Sequence, residues 1–141
     1  MPAVAKRRST PDETPAYAAR APDVTIEEVT TSAQRDVFSR FPLDLYAGDP
    51  NYVPPIVAER ADFIDPKQNP IFQHSRGAFF LARRRGKVVG RIGVLNDTRY
   101  NQFHDTDLGF FGLFESVNDV GVAAALFETA GRWVHLSGPR K

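Results

Sequence analysis

The sequence predicts an α+β fold in which helices lie against a mostly antiparallel sheet, in the order β-α-α-β-β-β-α. Two observations carry this prediction. Segments 77–83 and 87–96 have alternating apolar positions and are joined by Arg85-Gly86, a turn typical of an antiparallel hairpin. Segment 108–115 is apolar almost throughout, as expected of a strand buried on both faces, and it leads directly into a helical pattern.

Composition limits the classes of partner. The chain has 141 residues and a formal net charge of +1, whereas a nucleic-acid-binding face would leave a larger positive balance. The absence of cysteine excludes a disulfide framework and a thiolate metal site. No segment approaches the roughly 20 apolar residues of a membrane span. We therefore expect a cytoplasmic protein with neither a nucleic-acid partner nor a membrane partner.

The chain is predicted to have two parts. Residues 1–22 are rich in Ala, Pro, Arg and Thr and contain almost nothing large to bury, which predicts a disordered tail that can be removed without loss of folding. The folded domain is expected over residues 23–138.

The first half of this domain contains one strand and two helices. The strand is predicted over 24–29, at an edge of the sheet. Thr31 and Gln34 match a capping box, so a helix with one apolar face should follow. Pro42 is expected to interrupt that helix, because proline lacks a backbone donor and crowds the preceding turn. A second helix should stop before Asp65-Pro66.

In the second strand of the hairpin, strict alternation puts Val88, Gly90 and Ile92 on one face and Val89 and Arg91 on the other. Glycine inside a strand costs stability, so Gly90 and Gly93 are each predicted to mark a bulge or a close approach by another group.

The remaining segments are a loop and a helix. The polar segment 97–107 is predicted to be a long loop, of a size that favours a binding role. The last helix should begin near Asn118 and end at Ser137-Gly138. Its apolar stripe consists of Val122, Leu126, Ala130 and Trp133.

The start of the last helix allows two interpretations. A helix N-terminus offers unpaired amides and a partial positive charge, and the small residues Gly121 and Ala123 would let an anion approach. However, Asp119 would place a negative charge where a phosphate should bind. Spacing alone favours the simpler interpretation, in which Asn118 or Asp119 caps the helix and the small residues allow close packing.

The same residues resemble the cofactor motif of the GNAT superfamily of acyl-CoA-dependent N-acyltransferases. That motif is Gln or Arg, two residues, Gly, one residue, and Gly or Ala, at the start of a helix. Here it reads Asn118, Gly121 and Ala123, with Asn118 in the place of Gln or Arg. Four further stretches are similar to a bacterial GNAT-like group of uncharacterised function, and the resemblance spans about residues 23–138. These stretches are 46–55, 69–74, 89–92 and 109–115.

The resemblance implies a partial GNAT fold and the transfer of an acyl group, with acetyl expected, from acyl-CoA to an amine of unknown identity. Backbone groups of Leu113 and Glu115 would pair with pantetheine, and amides at the start of the last helix would bind pyrophosphate. The residues implied for pyrophosphate are Asn118, Asp119, Val120, Gly121, Val122 and Ala123. No catalytic residue and no metal site are assigned, and Glu115 is expected to contribute its backbone rather than act as a base.

Members of this superfamily continue with further strands after this helix. The chain is therefore expected to hold the N-terminal part of such a domain and to be weak or inactive alone. A homodimer or a separate C-terminal half would complete it. The competing interpretation is a non-catalytic fragment that associates with a partner chain through the exposed edge of segment 108–115.

Overall fold

The centre of the molecule is a five-stranded antiparallel sheet in the order β1-β5-β4-β3-β2. In this computed structural model of the chain, the described residues are 3–4 and 22–137. The strands are β1 (Ala3–Val4), β2 (Val24–Glu28), β3 (Ser75–Arg84), β4 (Lys87–Asp97) and β5 (Gly109–Ser116). The helices are α1 (Ser32–Leu45), α2 (Val57–Phe63), α3 (Thr98–His104) and α4 (Val120–Ser137), with a 3-10 helix at Pro70–Gln73. The predicted α+β class is confirmed, and the elements follow the predicted order apart from the additional β1 and α3.

Each face of the sheet buries its own apolar cluster. Helix α4 covers one face, where Val122, Leu126 and Ala130 from its predicted stripe are fully buried against the strands. On the other face, Phe38 of α1 and Ile64 at the end of α2 pack on the sheet. The sheet is thus the middle layer between α4 and the α1–α2 pair.

Two local signals read from the sequence are confirmed. Thr31 and Gln34 form the capping box at the start of α1, with both reciprocal hydrogen bonds present. The hairpin turn has positive φ at Arg85 (51°) and Gly86 (79°), which is the conformation of a two-residue type I′ connection.

The prediction that Pro42 interrupts the first helix was wrong, because α1 continues through Pro42 to Leu45. Proline cannot give the hydrogen bond that the Phe38 carbonyl would accept in a regular helix. Here Nη1 of Arg91 donates to that carbonyl at 2.7 Å. A side chain from the sheet therefore replaces the missing backbone donor, and the helix tolerates its proline.

The prediction that side chains alternate strictly between the two faces was also wrong at the start of β4. The pairing of β3 with β4 shifts register between Ala82 and Arg83, so β4 carries an extra residue there. As a result Val88 packs on the α1 side, whereas Val89 belongs to the α4 side together with Ile92. A single bulge has exchanged the faces of two neighbouring valines.

Segments 97–107 and 108–115 also differ from prediction. Seven residues of the predicted loop form α3, whose cap is Asp97, with a carboxylate that accepts the Tyr100 amide at 3.1 Å. Strand β5 was expected to be buried on both faces, but only Gly109 is fully buried and its other residues are half-buried. It lies next to the short β1 rather than at the centre of the sheet.

Part of the predicted tail takes part in the sheet. Ala3 and Val4 pair with Phe110 and Gly109 on the outer edge of β5, which was expected to have no partner. Residues 5–21 and the predicted terminal cap at Gly138 lie outside the described residues, so those predictions stay predictions.

The glycine signal in β4 is confirmed as a close approach. A Cβ built at Gly90 would lie 2.7 Å from Cδ1 of Leu126 and 3.1 Å from Cγ1 of Val122. Real Cβ atoms do not approach this closely, so a side chain at this position would push α4 away from the sheet.

Gly90→Ala should therefore destabilise the fold by about 1–3 kcal/mol through overpacking. The matched control is Gly131→Ala within α4, where an added Cβ meets nothing within 4 Å and should stabilise by about 0.5–1 kcal/mol through helix propensity. Urea unfolding of both variants measures the two effects. Equal effects would contradict the close-packing account.

Candidate functional site

The candidate site is built around an irregularity in β5. Arg91 pairs with Glu115, but Gly93 pairs with Gly112, so β5 has one residue more than β4 over this stretch. Leu113, at the bulge, has a φ of +54°. Such a conformation costs a non-glycine residue about 1–3 kcal/mol and persists only where surrounding contacts hold it.

Arg91 supplies one such contact. It is 4% exposed, and its Nε donates to the Leu113 carbonyl at 3.0 Å. The guanidinium also lies over the Phe38 ring, at 4.8 Å from the ring centre. Burial lowers the pKa of Arg91 to about 10, with the charge of Glu115 acting in the opposite direction. The side chain therefore stays cationic at neutral pH.

A hydrogen-bonded pair, Tyr46 and Glu115, lies beside Arg91. The Tyr46 hydroxyl donates to Oε2 of Glu115, and this bond raises the pKa of the Tyr46 phenol above its ordinary value. The end of α1 positions Tyr46, whose amide donates to the Pro42 carbonyl at 3.0 Å. Tyr52 stacks on Tyr46 with ring centres 4.7 Å apart. The carboxylate of Glu115 is thus held in place by an oriented donor.

An apolar cleft of about 190 Å³ adjoins this polar cluster. Arg60 and Leu113 connect the two features, since both line the cleft and the charge of Arg60 contributes to the low pKa of Arg91. The other lining residues come from α2, the 3-10 helix region and strands β3 to β5. They are Phe63, Asn69, Ile71, Phe72, Phe79, Gly93, Val94, Leu95 and Gly112.

At the start of α4, the structure shows the capping interpretation for Asp119. Its Oδ1 accepts the Gly121 amide at 2.8 Å, and its Oδ2 pairs with Nη2 of Arg84 at 2.9 Å. The hydrogen bond from Arg84, followed by that from Gly121, lowers the pKa of Asp119. A pyrophosphate at these amides would have to displace the Asp119 carboxylate.

The residues named from the resemblance fall into two groups. Leu113 and Glu115 lie at the β5 bulge, although the Leu113 carbonyl already accepts from Arg91. The second group, at the start of α4, differs widely in exposure. Asn118 and Val120 are exposed, Asp119 and Ala123 are half-buried, and Gly121 and Val122 are buried.

Sequence reasoning missed Tyr46, Arg60 and Arg91. The sequence did offer one signal, which is the arginine at position 91 between apolar neighbours in a predicted strand. A buried arginine requires hydrogen-bond partners. Its partners are backbone carbonyls, which no sequence pattern identifies. Tyr46 lies in a recognised stretch, but its partner Glu115 is 69 positions away.

No helix within residues 22–137 has the length and apolar character to cross a bilayer. In the same part of the chain, His, Asp and Glu side chains do not gather in groups of three or more that could hold a metal ion.

Comparison with known proteins gives two curated relatives. The chain is 36% identical over 104 residues to Protein YghO of Escherichia coli (strain K12), a match that covers 74% of this chain and 26% of YghO. It is 37% identical over 117 residues to the bacterial ceramide synthase of Caulobacter vibrioides (strain NA1000 / CB15N), covering 82% of this chain and 30% of that protein. The chain therefore spans less than a third of the length of either relative.

The second of these names is of an acyltransferase type. No protein-family model matches the chain, and no solved structure matches it. Membership of the GNAT superfamily stays a prediction.

The pKa of Asp119 predicts a pH dependence of stability. Because the folded-state pKa lies below the ordinary 3.8, its interactions stabilise the fold above about pH 4 and are lost as the pH falls towards the folded-state value. Asp119→Asn should therefore lower stability at about pH 6 but much less at about pH 3. Urea unfolding at both values measures this.

The matched control is Asp36→Asn, which removes an exposed ion pair to Arg40 and should change stability by less than about 0.5 kcal/mol. An Asp119→Asn effect that is the same at both pH values would contradict the pairing with Arg84.

Proposed function

We propose that this chain carries the acyl-transfer centre of an N-acyltransferase that uses acyl-CoA, and that the centre lies at the β5 bulge. The main observation in support is the Tyr46–Glu115 pair, held beside the cationic Arg91 at a strained position next to an apolar cleft. A carboxylate with an oriented neighbour and an adjoining cleft is an arrangement typical of general acid–base sites.

The relative named a ceramide synthase supports the same reaction class. A ceramide is an amide of a long-chain amino alcohol and a fatty acid, so the name describes the formation of an amide bond. The resemblance to acyl-CoA-dependent N-acyltransferases adds independent support from residues 118–123. Together they favour an amine as the acceptor.

In the proposed reaction the neutral amine attacks the carbonyl carbon of the thioester. The carbon–nitrogen bond forms and the carbon–sulfur bond breaks. The amine's proton passes to the Glu115 carboxylate. The thiolate then receives a proton from the Glu115 carboxyl group, so the carboxylate is restored and the products are an amide and free CoA. Tyr46 fixes the direction of the carboxylate, and the protein contributes mainly by positioning the reactants.

The proposed path of CoA uses the edge of β5 and the start of α4. Within the described residues, β1 pairs only with Gly109 and Phe110, which leaves the edge from Phe111 to Ser116 for the amides of pantetheine. Pyrophosphate would take the place of the Asp119 carboxylate at the amides of α4. Nη2 of Arg84, which now pairs with Asp119, would then be available to the phosphate, while its Nε keeps the ion pair with Asp23.

Glu115→Gln should reduce amide formation by about 100-fold or more, because the side-chain amide of glutamine cannot accept the proton. The assay follows thiol release from octanoyl-CoA in the presence of primary amines, with mass spectrometry of the amide product. Binding of octanoyl-CoA should be nearly unchanged, because the substitution keeps the backbone groups and the size of the side chain.

The matched control is Glu128→Gln, since Glu128 lies on α4, on the opposite side of the sheet, and should keep full activity. Amide formation by the Glu115→Gln variant at the original rate would exclude Glu115 as the base. The proposed function requires the original chain to retain at least weak activity, so the complete absence of amine-dependent thiol release would contradict it.

A further inference from the structure

The apolar cleft beside the polar cluster has no role in the proton transfer. Gly93 and Gly112 line it where they pair directly across β4 and β5. The Phe79 ring packs against Gly93, 2.9 Å from the position that a Cβ would take there. Ile71, Phe72 and Phe79 contribute apolar walls. The cleft is therefore bounded mainly by apolar side chains.

We propose that this cleft binds the aliphatic chain of a substrate whose reacting group lies at the neighbouring Tyr46–Glu115 pair. The inference rests on the proposed function and specifies its substrate class as one with a linear hydrocarbon chain. This hydrocarbon chain belongs either to the acyl group or to the amine, since its chemistry is the same in both.

The size of the cleft fits part of such a chain. An apolar cavity of about 150 Å³ accommodates benzene, so the cleft of about 190 Å³ holds roughly six to eight carbon atoms by the same scale. An acetyl group would leave most of this space empty. The volume therefore favours a longer chain.

The surface next to the cleft extends its apolar character outward. Ile56, Arg60 and Phe63 are spaced to share one side of α2, and Arg60 and Phe63 line the cleft. Phe63 is 52% exposed and Ile56 is 64% exposed. A chain longer than the cleft would lie along this stripe.

A peptide fits the cleft less well than a hydrocarbon chain does. Each peptide unit brings a donor and an acceptor that need partners when they are buried. The polar side chains in the lining are those of Arg60 and Asn69, and Asn69 already donates to the Phe63 carbonyl and accepts from the Ile71 amide. A hydrocarbon chain has no donor or acceptor that would need a hydrogen-bond partner in the cleft.

The test measures the displacement of 11-(dansylamino)undecanoic acid from the 141-residue chain by two series of competitors. One series contains acyl-CoAs from acetyl to dodecanoyl, and the other contains linear primary amines from butyl to dodecyl, all below their micellar concentrations. Affinity should rise about fourfold per methylene and level off near six to eight carbons, as the cavity comparison requires. The competitor series whose affinity depends on chain length in this way identifies whether the acyl-CoA or the amine carries the hydrocarbon chain.

Ile71→Trp should fill the cleft and move the levelling point to shorter chains, whereas Leu95→Ala should enlarge it and move the point to longer chains. The matched control for added bulk is Val53→Trp, because Val53 is 83% exposed and does not line the cleft. This control should leave the profile unchanged. Urea unfolding of each variant confirms that it is folded.

No dependence on chain length in either series, or a levelling point that neither cleft variant moves, would overturn the inference. Binding and turnover separate it from the proposed function. Length-dependent binding without amide formation supports the cleft and contradicts the acyltransferase, whereas amide formation without length dependence does the reverse.

Discussion

The buried guanidinium of Arg91 is the interaction on which the rest of the site depends. It joins three elements, since it extends from β4 to the Phe38 carbonyl of α1 and to the Leu113 carbonyl of β5. Burying a cation is costly, but the planar guanidinium satisfies two separate carbonyls and still lies against an aromatic ring. A lysine would not reproduce this geometry, because its donors all sit on one nitrogen, whereas Arg91 uses two nitrogens of a rigid planar group.

The two carbonyls that Arg91 holds belong to two of the irregular places in the fold. One is the Phe38 carbonyl, which Pro42 leaves without a backbone donor in α1. The other is the carbonyl of Leu113, the β5 residue with positive φ. The irregularity puts Phe111 and Phe114, three residues apart, together on the α4 side. Leu113 and Glu115 lie on the α1 side, beside Tyr46 and the cleft. The strained bulge thus lies where the Glu115 carboxylate, the Arg91 cation and the apolar cleft meet.

Much of the fold could be predicted from local patterns. The capping box at Thr31, the turn at Arg85 and the stripe of α4 depend on neighbours within a few residues, and each was confirmed. Pro42 and Val88 were misjudged because their outcomes depend on contacts or register set by other strands. The candidate site could not be predicted from local patterns, since the hydrogen bonds from Arg91 to Phe38 and from Tyr46 to Glu115 join segments that are distant in the sequence.

The central claim is that Arg91 replaces the backbone donor that Pro42 lacks, and a double-mutant cycle tests it directly. Arg91→Met is measured by urea unfolding in the original chain and in Pro42→Ala, where residue 42 regains an amide that can bond the Phe38 carbonyl. The account predicts that Arg91→Met costs at least about 1 kcal/mol less in the Pro42→Ala background, because a buried carbonyl no longer loses its partner. Costs that agree within about 0.5 kcal/mol in the two backgrounds would contradict it.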